Sequence, residues 1–198
     1  MAVLLYSDCM CKGVSSGMEL WIDADSVPKN LRDIILRAAV RTGLPAFFVA
    51  DRTLPDVELF IQEDTFRLRQ ALREAGETDK AAIRACRSRI RMVVVENGAD
   101  SADNYIVEHS KPNSLCITHD IPLASRMLEK GAHAIDDRGE SYTTQTINAR
   151  LGNRLVNQKL REMGVFAEQQ SKMKGSCAKA FADNLDRTLT AMLREQSC

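Results

Sequence analysis

The sequence has no net charge, because 27 Lys and Arg residues balance 27 Asp and Glu residues. A chain without a basic surplus has no global attraction for nucleic acid or for an anionic membrane, so any phosphate it meets must be drawn by local patches. No apolar run approaches the roughly 18 residues that suggest a membrane-spanning helix. The six cysteines include no C-x-x-C pair, and Cys9 and Cys11 stand too close together, and too far from a histidine, to form half of a zinc site. All six are read as reduced thiols of a cytoplasmic protein, with Cys116 a small core residue inside a strand. No internal repeat is evident.

What is present describes an ordinary folded domain. A chain of 198 residues supports one full-sized core, and its 44% hydrophobic and 27% charged residues are globular values. Residues 1–17 hold a short apolar stretch without the basic flank of a secretory signal. They are read as an N-terminal extension, either a tail or the product of an upstream start codon, with no role in the fold. The single domain is expected over residues 18–198.

The first clear strand, Glu19 to Ile22, ends abruptly in Asp23 and Asp25, and Pro28 sits in the first turn of the helix that follows. Leu31, Ile34, Ile35, Ala38 and Ala39 mark the buried face of that helix, and Gly43 with Pro45 stops it. The continuous apolar run from Ala46 to Ala50 has the form of a parallel strand covered on both faces. A segment from about Pro55 to Arg91 predicts one or two helices, acidic at the start and basic afterwards. Met92–Val95 and Leu115–Thr118 predict two more strands, and Ala132–Ile135 a short fifth. Two amphipathic helices close the chain, one marked by Ile147, Leu151, Leu155, Leu160 and Met163, the other by Phe181, Leu185, Leu189 and Met192. Strands alternating with helices predict an α/β fold: a three-layer α/β/α sandwich with a mostly parallel central sheet of about five strands.

Acids follow the strands or open the next helix at four places: Asp23 with Asp25, Asp100 with Asp103, Asp120, and Asp136 with Asp137. In a parallel sheet these junctions share one edge, where α/β folds bind ligands. Clustered carboxylates raise one another's pKa, and a divalent cation removes the conflict. All-oxygen donors suit Mg²⁺ or Mn²⁺, which can activate water for attack on a phosphodiester. Asp23, Asp103 and Asp120 are the expected metal ligands, with Asp25 added to the catalytic set. The competing reading is that each acid is a helix N-cap; Asp100 with Asp103 even has the look of a capping box.

Four stretches carry a resemblance: Trp21-Ile-Asp-Ala-Asp-Ser-Val-Pro28, Asp100-Ser-Ala-Asp-Asn-Tyr-Ile-Val107, Ile117-Thr-His-Asp-Ile-Pro-Leu-Ala124 and Arg138-Gly-Glu-Ser-Tyr-Thr143. Together they closely resemble the bacterial YaiI/YqxD family, a largely uncharacterised group placed with PIN-like nuclease domains. The resemblance spans about Met18 to Met163, with a weaker match in the last helix. It implies a PIN-like fold and a Mg²⁺- or Mn²⁺-dependent ribonuclease site. In that pattern Asp23 is similar to the acid of the first strand, Asp103 to the acid opening the helix before the fourth strand, and Asp120 to the acid after that strand. PIN nucleases also carry a glutamate on an intervening helix, for which no counterpart is placed here; Asp25 is the candidate substitute. Relative to shorter relatives, residues 56–89 have the look of a helical insertion, read as a solvated face rather than a phosphate track.

Lesser expectations attach to neighbouring residues. Thr118 is placed to orient a ligand or water near Asp120. Ser26, Asp100 and Asn104 are candidate partners of the ligands, and Arg138 is a candidate for holding a phosphate or for pairing with Asp136 or Asp137. His119 is too isolated to assign, and Trp21 with Phe47 and Phe48 is core. RNA is the favoured substrate, no membrane partner is expected, and the oligomeric state is open. Two other functions fit parts of the sequence. Asp23-Ala-Asp25 also obeys the Asp-x-Asp rule of haloacid-dehalogenase-type phosphatases, in which the first carboxylate is the nucleophile. The third reading is a non-catalytic RNA- or protein-binding module that keeps the fold.

Overall fold

The computed structural model describes residues 17–96, 98, 100–150, 159 and 175–195. The N-terminal extension, most of the helix expected around Leu151–Met163 and the linker near Gln169 therefore lie outside the described residues. The elements are β1 (Leu20–Asp23), α1 (Lys29–Thr42), β2 (Ala46–Ala50), α2 (Pro55–Glu74), α3 (Lys80–Ala85), β3 (Ile90–Val94), α4 (Ser101–His109), β4 (Leu115–Ile117), α5 (Ile121–Glu129) and β5 (His133–Ile135). A helical stretch over 144–150, here α6, and α7 (Gly175–Glu195) follow.

The five strands form one wholly parallel sheet in the order β3-β2-β1-β4-β5. The chain runs outward from β1 to β3, then crosses back to lay β4 on the other side of β1. The strand order therefore reverses between β1 and β4. At such a reversal the flanking connections leave toward opposite faces and a crevice opens beyond the strand ends.

Helices cover both faces, which is why β1 reads as an apolar run up to Asp23: all four of its residues are buried. Alternation along the strand divides the core in two. Leu20 and Ile22 join Phe48, Leu31 and Ile35 of α1, and Phe181, Leu185 and Leu189 of α7. Trp21 joins Val49, Cys116, Ile106 of α4 and Leu123, Ala124 and Met127 of α5. Trp21 stacks on the partly buried Phe47, with ring centroids 4.4 Å apart. By the same alternation Asp23 shares the face of Trp21, so its carboxylate lies on the α4 and α5 side.

Two glycines fit backbone needs that other residues meet poorly. Gly43 ends α1 in the left-handed region, at φ 69°, donating to Ala39 O. Gly139, at φ +84°, lies so close to α7 that a Cβ there would stand 2.7 Å from Phe181 Cα. The Arg138–Thr143 stretch thus has a structural job. Asp136 accepts from the backbone N–H groups of Arg138 and Glu140 at 2.9 and 2.7 Å, and Asn184 of α7 donates to Gly139 O.

The segment after β2 resolves into two helices, and β3 begins at Ile90, earlier than its apolar run suggested. Several of the arginines there serve the backbone. Arg69 donates to the carbonyls of Cys86 and Arg84, and Arg89 to Gly43 O at 2.7 Å. Arg67 and Arg73 remain in solvent. Among the described residues no helix is long and apolar enough to cross a membrane.

Candidate functional site

At the reversal between β1 and β4 lies a cleft of about 420 Å³, lined by Asp23, Asp25, Ser26, Asp51, Val95, Glu96, Gly98, Asp100, Ser101, Ala102, Asp103 and Asp120. Seven of these are acids, and neither Lys nor Arg is among them. The four acids expected to be catalytic all line it, although they come from three widely separated stretches of chain.

Each arrives by a different local device. Asp23 is the last residue of β1 and is buried, at 6% exposure. Register pairs Ile22 with Ile117, so one step further Asp23 meets Thr118, whose Oγ1 donates to Asp23 Oδ2 at 2.8 Å. The same hydroxyl accepts from Asp120 N–H at 2.9 Å. Asp120 caps α5, its Oδ2 accepting from Leu123 N–H at 3.1 Å. Ser26 Oγ donates to Asp23 O at 3.1 Å and accepts from His119 N–H at 3.3 Å, tying the two junctions together. Asp25 Oδ2 accepts from Asp51 N–H at 2.8 Å, and Arg52 pairs with both Asp25 and Asp51 from the rim.

The cap reading now divides. Asp120 is a cap. Asp100 occupies the N-cap position of α4 in the left-handed region, at φ 60°, but makes no side-chain cap bond, so the capping box does not form. Asp103 sits in the first turn of α4, and Pro28, not Asp25, is the N-cap of α1. Capping therefore accounts for only one member of the cluster.

Electrostatics follow from the geometry. Burial, then the charges of Asp23, Asp120 and Asp100, push the Asp103 carboxyl up to about 6, against a smaller pull downward from Arg126. Burial also raises Asp23, while hydrogen bonds from Thr118 and Ser26 hold it back. Behind them the buried Cys116 thiol is driven well up, by burial first and then by the charges of Asp23 and Asp103. It is a protonated core residue, as its strand position implied.

Three expected partners lie elsewhere. Thr118 is buried beneath the lining, where it serves Asp23 and Asp120 rather than a ligand directly. Asn104 is exposed and accepts from Arg126 at 2.9 Å. Arg138 is exposed outside the lining; it is Arg150 that pairs with Asp136, at 3.2 Å. His119, left unassigned, stands 2.8 Å from Asp137 through Nδ1.

Two lining acids escaped the sequence reading, Asp51 and Glu96. Both follow directly on an apolar strand run, Asp51 after β2 and Glu96 just past β3. The rule that singled out Asp23 would have found them had it been applied to every strand.

The donor set suits a hard divalent cation by chemistry, since every charged group in the cleft is a carboxylate. Among the described residues no three His, Cys, Asp or Glu side chains are gathered closely enough to hold a metal ion. Carboxylates that repel one another are expected to stand apart until a cation joins them.

Comparison with known proteins supplies the relationship. Residues 78–191 match the family described as "Uncharacterized BCR, YaiI/YqxD family". A "UPF0178 protein" of Trichlorobacter lovleyi is 36% identical over 178 residues, covering 90% of this chain and 97% of the relative. One from Vibrio parahaemolyticus is 37% identical over 87% of this chain and 98% of its own length. One from Alkalilimnicola ehrlichii is 38% identical over 88% and 99%. No solved structure matches the chain.

Proposed function

The chain belongs to the uncharacterised YaiI/YqxD family, and on that premise we propose that it is a PIN-like nuclease that hydrolyses phosphodiester bonds, in RNA before DNA. In this reading Asp23, Asp103 and Asp120 hold Mg²⁺ or Mn²⁺. The observation that carries it is the gathering of these acids in one cleft at the strand reversal, where burial first and then the charges of Asp23, Asp120 and Asp100 push Asp103 up to about 6. A stable fold has little reason to keep partly buried carboxylates in conflict unless something relieves them.

A cation held there would supply charge neutralisation at the phosphate and would lower the pKa of its water. The remaining work belongs to the chain. Thr118 ties the Asp23 and Asp120 junctions together and so fixes where both carboxylates leave the sheet. Asp25, fixed by Asp51 N–H, accepts a hydrogen bond from the attacking water and orients it. Glu96, which also lines the cleft, stands beside Asp25 as a second candidate for the place of the glutamate that PIN nucleases carry on an intervening helix. No side chain becomes covalently modified, because water is the nucleophile.

The phosphatase reading is less well supported. Its nucleophile needs a nearby cation to steady the phosphate, and the lining holds no lysine. Asp136 and Asp137 are already occupied by Arg150 and His119. The test is calorimetric titration of Mn²⁺ into wild type and Asp23→Asn/Asp120→Asn, followed by RNA cleavage with and without metal. Saturable binding lost in the variant, together with metal-dependent cleavage, is the expected result. Binding without cleavage, joined by a trapped phospho-aspartate, favours the phosphatase. No binding in wild type leaves a binding module.

A further inference from the structure

The cleft that gathers the proposed ligands is poor in what a phosphate needs. Its lining holds seven acids and neither Lys nor Arg. One divalent cation offsets two of those charges and a pair offsets four, so the mouth stays anionic even when loaded. A nucleic-acid strand carries a negative charge at every phosphate and is turned away by such a field. A cation fixed to the chain at the rim removes that conflict.

Arg52 stands there. Asp51 is the first residue after β2, and its N–H donates to Asp25 Oδ2 at 2.8 Å, which pins the start of the β2–α2 connection to the β1–α1 junction. Two residues beyond Arg52, the buried Leu54 anchors the other end. From this short tether the guanidinium reaches both carboxylates: Nη1 donates to Asp51 Oδ1 at 3.0 Å, and Nη2 stands 3.6 Å from Asp25 Oδ1. Both partners line the cleft, whereas the Arg52 side chain is 66% exposed. The Asp25 contact is too long for a hydrogen bond, and ion pairs this open contribute little. A guanidinium so placed can exchange a carboxylate for a phosphate at small cost, and its planar fork fits two phosphate oxygens at once. Two neighbouring cations are committed elsewhere. Arg126 acts on Asp103 through its charge, yet it donates to Asn104, outside the lining. Arg32 is taken by Asp56 at 2.9 Å.

Building on the nuclease reading, we propose that Arg52 is the phosphate anchor of the substrate: its guanidinium leaves Asp25 and Asp51 and takes a phosphate of the RNA strand at the mouth of the cleft. The same exchange frees Asp25 Oδ1 for the attacking water.

The experiment is fluorescence anisotropy of a short labelled oligouridylate with the full chain over a range of salt. Ca²⁺ replaces Mn²⁺ there, since carboxylates hold it but it acidifies its water less, and the RNA stays whole. Arg52→Gln should raise the dissociation constant about tenfold. It should also flatten the slope of log affinity against log salt by about 0.7, the value of one phosphate contact on a single strand. Arg52→Lys keeps the charge and loses the fork, so it should keep the slope and recover part of the affinity. Mn²⁺ affinity, read by calorimetry, should hold or tighten in Arg52→Gln, because a positive charge has left the mouth. Arg73→Gln removes an equal charge from an exposed position on α2 and should bind RNA as wild type does. An Arg52→Gln variant that keeps wild-type affinity and slope overturns the proposal. So does an Arg73→Gln variant that loses as much, a loss of RNA and Mn²⁺ affinity together, or a wild type that binds no RNA. Metal-dependent cleavage tests the nuclease reading separately. Cleavage that ignores Arg52 sinks this inference alone, and binding through Arg52 without cleavage sinks that reading while Arg52 remains an RNA contact.

Discussion

Thr118 Oγ1 lies 2.8 Å from Asp23 Oδ2, across 95 residues of sequence, and the same oxygen accepts the N–H of Asp120 at 2.9 Å. One hydroxyl thereby joins two of the three proposed ligands. Because the bond to Thr118 opposes the rise that burial imposes on Asp23, the contact sets both the position of that carboxylate and its readiness to ionise.

Replacing Thr118 with Val keeps the shape and removes the hydroxyl. The Asp120 N–H and a buried carboxylate oxygen lose their partner, at a cost of about 1–3 kcal/mol in stability. Asp23 should become a weaker acid, so half-maximal Mn²⁺ binding moves to higher pH. Thr118→Ser should restore both. Metal titrations across pH, beside urea melts, provide the check; a Val variant with an unmoved pH profile would separate Thr118 from the site.

Asp103 makes the metal-free fold sensitive to alkali. Its folded pKa, about 6, lies above the ordinary 3.8, so its contribution to stability is full below the ordinary value and is lost as pH rises through 6. A shift of this size corresponds to about 3 kcal/mol in isolation, and solvent screening at a half-buried site reduces that to on the order of 1 kcal/mol. Asp103→Asn should therefore raise the melting temperature of metal-free protein at pH 8 and leave it nearly unchanged at pH 4. The same variant should lose metal binding. Thermal melts at the two pH values measure the first effect.

Asp56 has the opposite sign. Burial works against its ionisation, but the two hydrogen bonds from Arg32, at 2.9 and 3.0 Å, outweigh that and hold its pKa below the ordinary value. Its stabilising effect is present above the ordinary carboxylate pKa and is lost as pH falls through the depressed one. Asp56→Asn should cost about 1–3 kcal/mol near pH 7, with the difference from wild type narrowing under acid. Urea unfolding at neutral and low pH gives both numbers, and an equal loss at each would refute the assignment.

Gly139→Ala should loosen α7 rather than empty the cleft. The residue sits at φ +84°, and the added Cβ would meet Phe181 Cα, Ala180 O and Phe181 N, all backbone atoms that cannot rotate away. The left-handed conformation alone costs on the order of 1–3 kcal/mol for an alanine. Faster protease cutting within α7, at unchanged metal affinity, is the expected pattern.

The sequence alone was enough to identify the strands, most of the helices and several of the acids at their ends, because these are local properties. An apolar run of four or five residues can be buried on both faces only in a covered sheet, as with Ala46–Ala50. A helix that buries Leu31 and Ile35 while exposing its charges shows its period directly. The family resemblance rests on the same stretches, since they combine backbone grammar with chemistry. Asp23 could be suspected for a further reason: an acid next to Trp and Ile needs a partner.

Tertiary structure decided which acids share a space. Nothing local in residues 90–117 says that β4 returns to the side of β1, yet that crossover brings Asp103 and Asp120 to Asp23 and supplies Thr118 as their link. It also admits Asp51 and Glu96, whose strands lie on the other flank of β1. It turns Asn104 toward Arg126 and leaves Arg138 outside the cleft. Spacing along the chain fixes which face of an element a side chain occupies. Which element lies opposite depends on how the layers bury their apolar faces together, and that is a property of the whole chain.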